Sequence, residues 1–313
     1  MSFIIIFFLF FQTYAYSNSI DLENLLKDVS QTNESQIQKE QIEISKLDKL
    51  TVRSQILPQI ELYGSTIHQA DDEAFNRGFG SRTQSNLRVN LNQSLFSGLQ
   101  EFYKLSQADQ EIKKSLHDYY NKVINLKTQI SSAFFEAYLA QVDLKNLKKL
   151  RKTAKSRLRN IRARVSIGKS RESEALSAEA QIHEVKSQIE SLKLDYKQSL
   201  IQIERLAQKE NLMDKKLTIK NIEIKESLST YFSKIVEHPL IKSYQKSLQI
   251  SKEQKKFNRG GHLPKLELDG NYYVERGGAL EGVEWDASLN LVFPLFSGGE
   301  TYYSVKKSLV KKR

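Results

Sequence analysis

Apolar residues in this chain keep two different rhythms, and the places where one gives way to the other divide it into blocks. From Leu105 a heptad runs without a slip. One seam reads Leu105, Ile112, Tyr119, Leu126, Ala133, Ala140, Leu147, Ala154 and Ile161. The other reads Leu116, Val123, Ile130, Ala137, Leu144, Leu158 and Val165, with Arg151 interrupting it. After a break at residues 165–170 the pattern returns as Ala175, Ile182, Ile189, Tyr196 and Ile203, with Ala178, Val185, Leu192 and Leu206 on the second seam. Apolar positions that repeat about every 3.5 residues need a partner helix along their whole length. Gly168 suits the left-handed residue that closes a helix, and Ser170 or Ser173, beside Glu172 and Glu174, suits the start of the next. The pattern predicts an antiparallel coiled-coil hairpin over 99–208 with its tip near Gly168. At about 1.5 Å per residue the outgoing helix is roughly 100 Å long, too long for an ordinary globular domain.

On either side of this block the rhythm shortens to two. Residues 59–66 alternate apolar and polar, as do 87–95, and the intervening 71–82 are rich in Asp, Asn, Gly and Ser, as a loop should be. The same block then recurs. Leu57–Gly64 returns 206 positions later as Leu263–Gly270, and Ile44–Lys46 returns at the same offset as Ile250–Lys252. Leu95-Phe96-Ser97-Gly98 returns 200 positions later as Leu295-Phe296-Ser297-Gly298, the lost residues falling in the loop between strands. Three matched segments in one order establish an internal duplication of helix and β-hairpin around the coiled coil. In the second copy Leu266, Leu268, Gly270 and Tyr272 alternate with Lys265, Glu267, Asp269 and Asn271, and Leu289, Leu291, Phe293 and Leu295 form the apolar side of a fourth strand. Strands of this length with one apolar face, and Trp285, Tyr272 and Tyr273 near the loop end, match a transmembrane barrel with an aromatic girdle. On that reading Leu87, Val89, Leu91, Leu289, Leu291 and Phe293 face lipid, while Glu61 and Glu267 line the other side. A soluble sandwich alternates in the same way and is the alternative.

The remaining stretches add helices. Leu22, Leu25, Leu26 and Val29 have helical spacing within 20–29, and 33–56 reads as a second helix. The heptad is lost over 209–225, where Lys216–Lys220 suits a short strand. Helical spacing resumes at Leu228, Phe232, Ile235 and Val236 and continues from Pro239 to about Phe257. Tyr302, Val305 and Leu309 open one more helix before the chain stops at Arg313. Residues 3–11 are an unbroken apolar run, too short to span a bilayer, followed by Thr13-Tyr14-Ala15. This pattern predicts a secretory signal cleaved after Ala15, or as far on as 17; a buried N-terminal strand is the alternative. No other run is long enough for a transmembrane helix, so membrane insertion would use strands.

Composition narrows the function. The chain has no cysteine, which excludes disulfides and thiolate metal sites. Its net charge of +11 could suit nucleic acid, but the cations between Lys145 and Arg164 are interleaved with the seam and read as a solvated helix face. The five histidines are scattered without ligand spacing. Gly168-Lys169-Ser170 fits a permissive phosphate loop, yet a heptad helix precedes it where a buried strand is required. No nucleophile elbow or kinase signature is present. The expectation is a protein that is no enzyme and carries no cofactor, metal or nucleic acid.

Four features together resemble the TolC-like outer-membrane efflux protein family. They are the Leu-Pro-x-(Ile/Leu)-x-Leu strand opening seen twice, the Leu-Phe-Ser-Gly exit at 95–98 and 295–298, the tip sequence from Gly168 to Leu176, and the duplication itself. The resemblance implies an α+β fold in which a long antiparallel helical hairpin accompanies four strands of a shared transmembrane barrel. It implies the following order: a signal at 1–15; periplasmic helices at 16–56; a first β-hairpin at 57–98; the coiled-coil hairpin of a periplasmic tunnel at 99–208; an equatorial segment at 209–258; a second β-hairpin at 259–298; and the start of a second hairpin at 299–313. It further implies a homotrimer in the outer membrane of a Gram-negative cell, forming a passive path in a tripartite efflux or type I secretion system. Its partners would be outer-membrane lipid, a periplasmic adaptor and an inner-membrane pump. Arg164, Gly168, Ser170, Ser173, Glu174 and Leu176 would dock the adaptor, and Phe96, Gly98, Phe296 and Gly298 would form the strand–helix junctions. The family's second coiled-coil hairpin is missing from the 313 residues. A truncated product, a fragment of a longer gene or half of a split protein are the corresponding expectations, and such a chain is expected not to support efflux alone. A periplasmic adaptor or a coiled-coil scaffold are the rival classes.

Overall fold

The computed structural model of the chain describes residues 19–68, 83–213, 215–219, 227–277, 280 and 282–312. The expected signal and the loop at 71–82 lie outside them. The chain forms two units, one drawn from residues up to 36 and from 122–226, the other from 37–121 and from 227 onward.

The first unit is built on the heptads. Helix α3 (Gln100–Val165) supplies residues 122–165 and α4 (Glu172–Ala207) returns beside it. Towards the turn, Leu158 packs with Ala175, Ala178 and Ile182, and Ala154, Ile161 and Val165 close around them. At the root the core widens to Leu126, Ile130, Ala133, Phe134 and Ala137 on α3 and Leu200, Ile203, Leu206 and Ala207 on α4. Phe134, Leu200 and Ala207 stand off the predicted seams. They are buried because a third layer covers the root: Leu25 of α1 (Leu22–Lys27), Val29 of the 3-10 turn Val29–Gln31, and Ile20 and Leu217. Ile20 was expected to begin a helix. It lies instead in β1 (Ser19–Asp21), paired in parallel with β4 (Lys216–Thr218). The Gln141 side chain on α3 fixes this ribbon, donating to the Leu217 carbonyl at 3.1 Å and accepting from the Leu217 N–H at 3.0 Å. An amide that satisfies both groups of one residue removes the cost of burying them.

The second unit holds an antiparallel sheet in the order β2-β3-β5-β6, formed by β2 (Gln59–His68), β3 (Thr83–Ser97), β5 (Lys265–Arg276) and β6 (Trp285–Val292). Its helices follow the same order. Helix α2 (Asn33–Ser54) meets α3 through Ser45 and Ser115, 2.8 Å apart, and through Lys49 and Asp109 at 2.6 Å. Gln100 of α3 donates to the Phe257 carbonyl of α6 (Pro239–Gly260) at 3.0 Å. Asn258 of α6 donates to the Ser304 carbonyl of α7 (Glu300–Lys312), again at 3.0 Å.

The duplication is visible in element boundaries that the sequence repeat does not reach. Leu22, Val29, Asn33 and Gln59 open α1, the 3-10 turn, α2 and β2. Their counterparts 206 positions on, Leu228, Ile235, Pro239 and Lys265, open α5 (Leu228–Lys234), a second 3-10 turn, α6 and β5. Gln100 and Glu300, 200 apart, open α3 and α7. The two hairpins share one register, Gln59 opposite Asn92 and Lys265 opposite Val292.

Equivalent positions nevertheless differ in burial. Leu25 is 2% exposed, whereas Tyr231, 206 positions later, is 51% exposed, with Phe232, Ile235 and Val236 also open. The first copy of this segment lies on the helical root; among the described residues the second has no such cover. Truncating Leu25 to Ala should therefore cost about 2–5 kcal/mol. Tyr231→Ala should stay within about 0.5 kcal/mol. Denaturant midpoints followed by helical circular dichroism measure both, and equal losses would mean that Tyr231 is covered after all.

Candidate functional site

Two surfaces carry the sequence's unusual chemistry: the faces of the four-stranded sheet and the turn between α3 and α4. In the sheet the pairings set which side chains share a face, since residues directly opposite project the same way. Ile60 stands beside Leu91, Leu62 beside Val89, Gly64 beside Leu87. Leu91 continues to Gly270 and Val89 to Tyr272. Leu266 pairs with Leu291, Leu268 with Leu289 and Tyr272 with Trp285. One face is thus apolar across all four strands, ending in Tyr272 and Trp285 at the loop end. Leu87, Val89 and Leu91 are half-buried between neighbours, while Leu289 and Leu291 on the outermost strand are open, Leu291 by 69%.

The opposite face is a hydrogen-bonded ladder. Asn90 donates to Asp269 at 3.0 Å and to Asn271 at 2.9 Å. Asn271 donates to Asp269 at 3.0 Å and to Asp286 at 2.9 Å, and the Tyr273 hydroxyl donates to Asp286 at 3.0 Å. Arg276 lies 3.4 Å from Asp286 and stacks over the Tyr273 ring at 3.9 Å; Arg88 covers the Tyr63 ring at 4.8 Å. Carboxylates and amides tied to one another in this way keep a face wetted yet ordered. The alternation places Glu61, Lys265, Glu267, Asp269 and Asn271 on this side. The ladder was signalled by Asn or Asp at the alternate positions 269 and 271 and by Asn90 and Asp286, but contact across strands needs the register.

The two strand–helix junctions differ. Phe96 is still inside β3, opposite Leu266, because β5 extends alongside it. Gly98 then turns with φ 67°, so close to Gly260 that a Cβ would strike the Gly260 carbonyl. The hydroxyls of Ser94 and Ser97 both donate to Glu101 in the first turn of α3. In the second copy β6 stops at Val292. Phe293, expected within the strand, lies beyond it, and so does Leu295. The reason is a missing partner: Val292 is paired with Lys265, the first residue of β5, and among the described residues β6 has no strand on its other side. Pro294 also lacks an N–H to offer. Phe296 is left 88% exposed, and Gly298, with φ 63°, turns in open space.

At the other surface α3 ends in a Schellman motif. Gly168, φ 73°, donates its N–H to the Val165 carbonyl at 2.9 Å, and Lys169 donates to the Arg164 carbonyl at 2.8 Å. Neither expected serine caps α4. Arg171 occupies the N-cap without a side-chain bond, and Ser170 spends its hydroxyl on the Glu174 carboxylate at 3.1 Å. Glu172 and Glu174 supply the favourable charge at the helix start instead. Arg162 reaches across the hairpin to Glu179 at 3.0 Å. Arg164, Ser173 and Glu174 are exposed around the turn, as is Leu176, an apolar side chain among charges.

Neither surface gathers a catalytic or metal constellation among the described residues. Also among them, no helix is long and apolar enough to cross a membrane. Compared with known proteins, the profile of the outer membrane efflux protein family matches residues 31–207. Comparison with curated proteins finds no match. Among solved structures, a membrane protein from Pseudomonas aeruginosa superposes with a TM-score of 0.81 at 15% identity, covering 93% of this chain and 70% of its own. The CmeC outer membrane channel of Campylobacter jejuni gives 0.77 at 20%, covering 93% and 65%. The outer membrane protein VceC of Vibrio cholerae gives 0.78 at 11%, covering 93% and 72%. At these identities the likeness is one of fold, and the chain spans about two thirds of each neighbour's length.

Proposed function

The chain belongs to the outer membrane efflux protein family, and from that premise we propose that it contributes four strands to a trimeric outer-membrane barrel and its helices to a periplasmic conduit. Substrates delivered by an inner-membrane pump would pass through it passively, with an adaptor joining pump and conduit. The observation that carries this reading is the sheet's pair of unlike faces. An apolar face left open beside an ordered polar ladder suits lipid outside and water inside. The strands β2, β3, β5 and β6 have 10, 15, 12 and 8 residues, on either side of the about 9–11 that a tilted transmembrane strand needs. Leu87, Val89, Leu91, Leu289 and Leu291 would touch lipid, with Tyr272 and Trp285 at the interface. The solved neighbours support the reading through their own descriptions, two of which are outer-membrane proteins.

The lipid assignment is tested by a matched pair on β6. Leu291→Arg should cost about 2–4 kcal/mol of assembly if the site is near mid-bilayer, whereas Asn290→Arg on the ladder face should be tolerated. Membrane-assembled protein is the readout. Equal sensitivity would favour a soluble sandwich.

For the tip we propose docking to a periplasmic adaptor through Arg164, Gly168, Ser170, Ser173, Glu174 and Leu176. An exposed leucine ringed by both charge signs offers an anchor and a polar rim. A photo-cross-linker replacing Leu176 should capture the adaptor, while one replacing Lys148 along the same hairpin should not. Indiscriminate capture from both positions would remove the docking role.

A further inference from the structure

The coiled coil of the first unit carries most of its positive charge on one side, and the charge repeats there. On α3 the residues one step past each seam position are Lys145, Lys148, Lys152, Lys155, Arg159 and Arg162. All six are exposed, and their alternating spacing of three and four residues makes a line about 25 Å long with a charge every ~5 Å. Beside it α4 presents Lys186, Lys193 and Lys197, with two carboxylates, Glu179 and Glu190. Both carboxylates are taken: Arg162 lies 3.0 Å from Glu179, and Lys193 lies 2.9 Å from Glu190. The Glu190 carboxyl is held below its usual range, first by the bond to Lys193 and then by the nearby Lys186 and Arg151. Among the described residues, the other five cations of the α3 line have no carboxylate at ion-pair distance. The opposite face is different. There Asp143, Leu150 and Asp195 line one groove and Arg157, Glu174 and Gln181 another, so that three carboxylates accompany one cation.

The cationic line has a definite side in the fold. Towards the root the same positions continue as Gln141, Tyr138 and Phe134, and these meet the layer of α1, β1 and β4. Gln141 bonds Leu217, while Tyr138 and Phe134 belong to the core that Ile20, Leu25 and Val29 close. On the conduit reading, on which this inference rests, a face that already carries a layer at its root is the outer one. We propose that this outer line binds an extended polyanion, the carboxylate-bearing peptidoglycan through which a periplasmic conduit must pass. Two features favour a polymer over a folded protein. The line holds no apolar or aromatic residue between Lys145 and Arg162, whereas protein partners anchor on buried aromatic or aliphatic side chains. Its charges also recur at one short pitch, which a chain of repeated carboxylates can follow without a unique docking pose. Four of the six are lysines, point charges that attract carboxylates without demanding the paired geometry of arginine. Leu176, the exposed apolar side chain of the hairpin's turn, lies beyond the line and belongs to the adaptor contact instead.

The test is sedimentation of the full chain, purified in detergent, with insoluble peptidoglycan sacculi. One variant combines Lys145→Gln, Lys148→Gln, Lys152→Gln and Lys155→Gln. The other removes four charges of the same hairpin off the line, by Lys149→Gln, Arg157→Gln, Lys169→Gln and Arg171→Gln. All eight side chains are exposed, and helical circular dichroism checks that both variants fold. The line variant should lose about tenfold or more in affinity for sacculi, and the other should stay within roughly twofold of the parent. Added salt should weaken the parent far more than the line variant, because fewer counterions are released where fewer charges are neutralised. Should the fourfold line variant fail to fold, Lys148→Gln with Lys155→Gln should still lose about threefold. Equal losses in the two fourfold variants would mean a general charge effect and overturn the line. Undiminished binding to sacculi whose carboxyls have been converted to neutral amides would overturn the carboxylate chemistry, and preference for duplex DNA over sacculi would overturn the choice of polymer. None of these results depends on membrane partition, so release of the chain by carbonate would overturn the conduit reading separately.

Discussion

An antiparallel sheet of four strands has two edges, and the backbone groups along them must find partners. In water they can be solvated; in hydrocarbon they cannot, and only closure into a barrel removes them. Among the described residues, the sheet formed by β2, β3, β5 and β6 is open at both edges and apolar over most of one face. Each feature alone has ordinary solutions, since an edge can be charged or covered and an apolar face can receive a helix. Here neither is used on the apolar side. The helices α2, α6, α7 and the first turns of α3 pack among themselves through Ser45, Ser115, Gln100 and Asn258, leaving Ile60, Leu62, Leu289 and Leu291 open. Lipid against the face and another copy against the edges satisfies both demands with one arrangement.

The internal repeat explains why a short stretch of sequence does so much. One module of short helix, 3-10 turn, long helix and β-hairpin is written twice, and its surroundings decide what each copy becomes. Leu25 and Val29 are core because the root of α3 and α4 covers them; Tyr231 and Ile235 at equivalent places are surface. Phe96 is strand because β5 runs beside it; Phe296 is not because nothing does. Burial and strand content here are properties of neighbours as much as of residues, as the context dependence of β-propensity requires.

Much of this was legible in the sequence. Heptad spacing located α3 and α4 and the turn at Gly168, and period two located the strands with the face each leucine takes. Those signals are strong because they repeat over many turns or many alternations. The misreadings share one physical origin, in that they depend on contacts between distant segments. Ile20 looked helical but pairs with Leu217. Phe134 lies off the seam and is buried only through the layer that α1 adds. Ser170 was a plausible cap, but Glu174 offers its hydroxyl a charged partner. The ladder from Asn90 to Asp286 joins three strands and was invisible until their register was known.

The central claim is that the two-faced sheet is held in an outer membrane, and partition measures it most directly. The full chain would be expressed in a Gram-negative cell, the outer-membrane fraction isolated, and that fraction washed with carbonate and with high salt. The claim predicts that the chain stays in the pellet through both washes, as a protein with its leucines in hydrocarbon must. Release into the supernatant by carbonate would mean that the apolar face is covered by protein instead, and the lipid-facing account would be wrong.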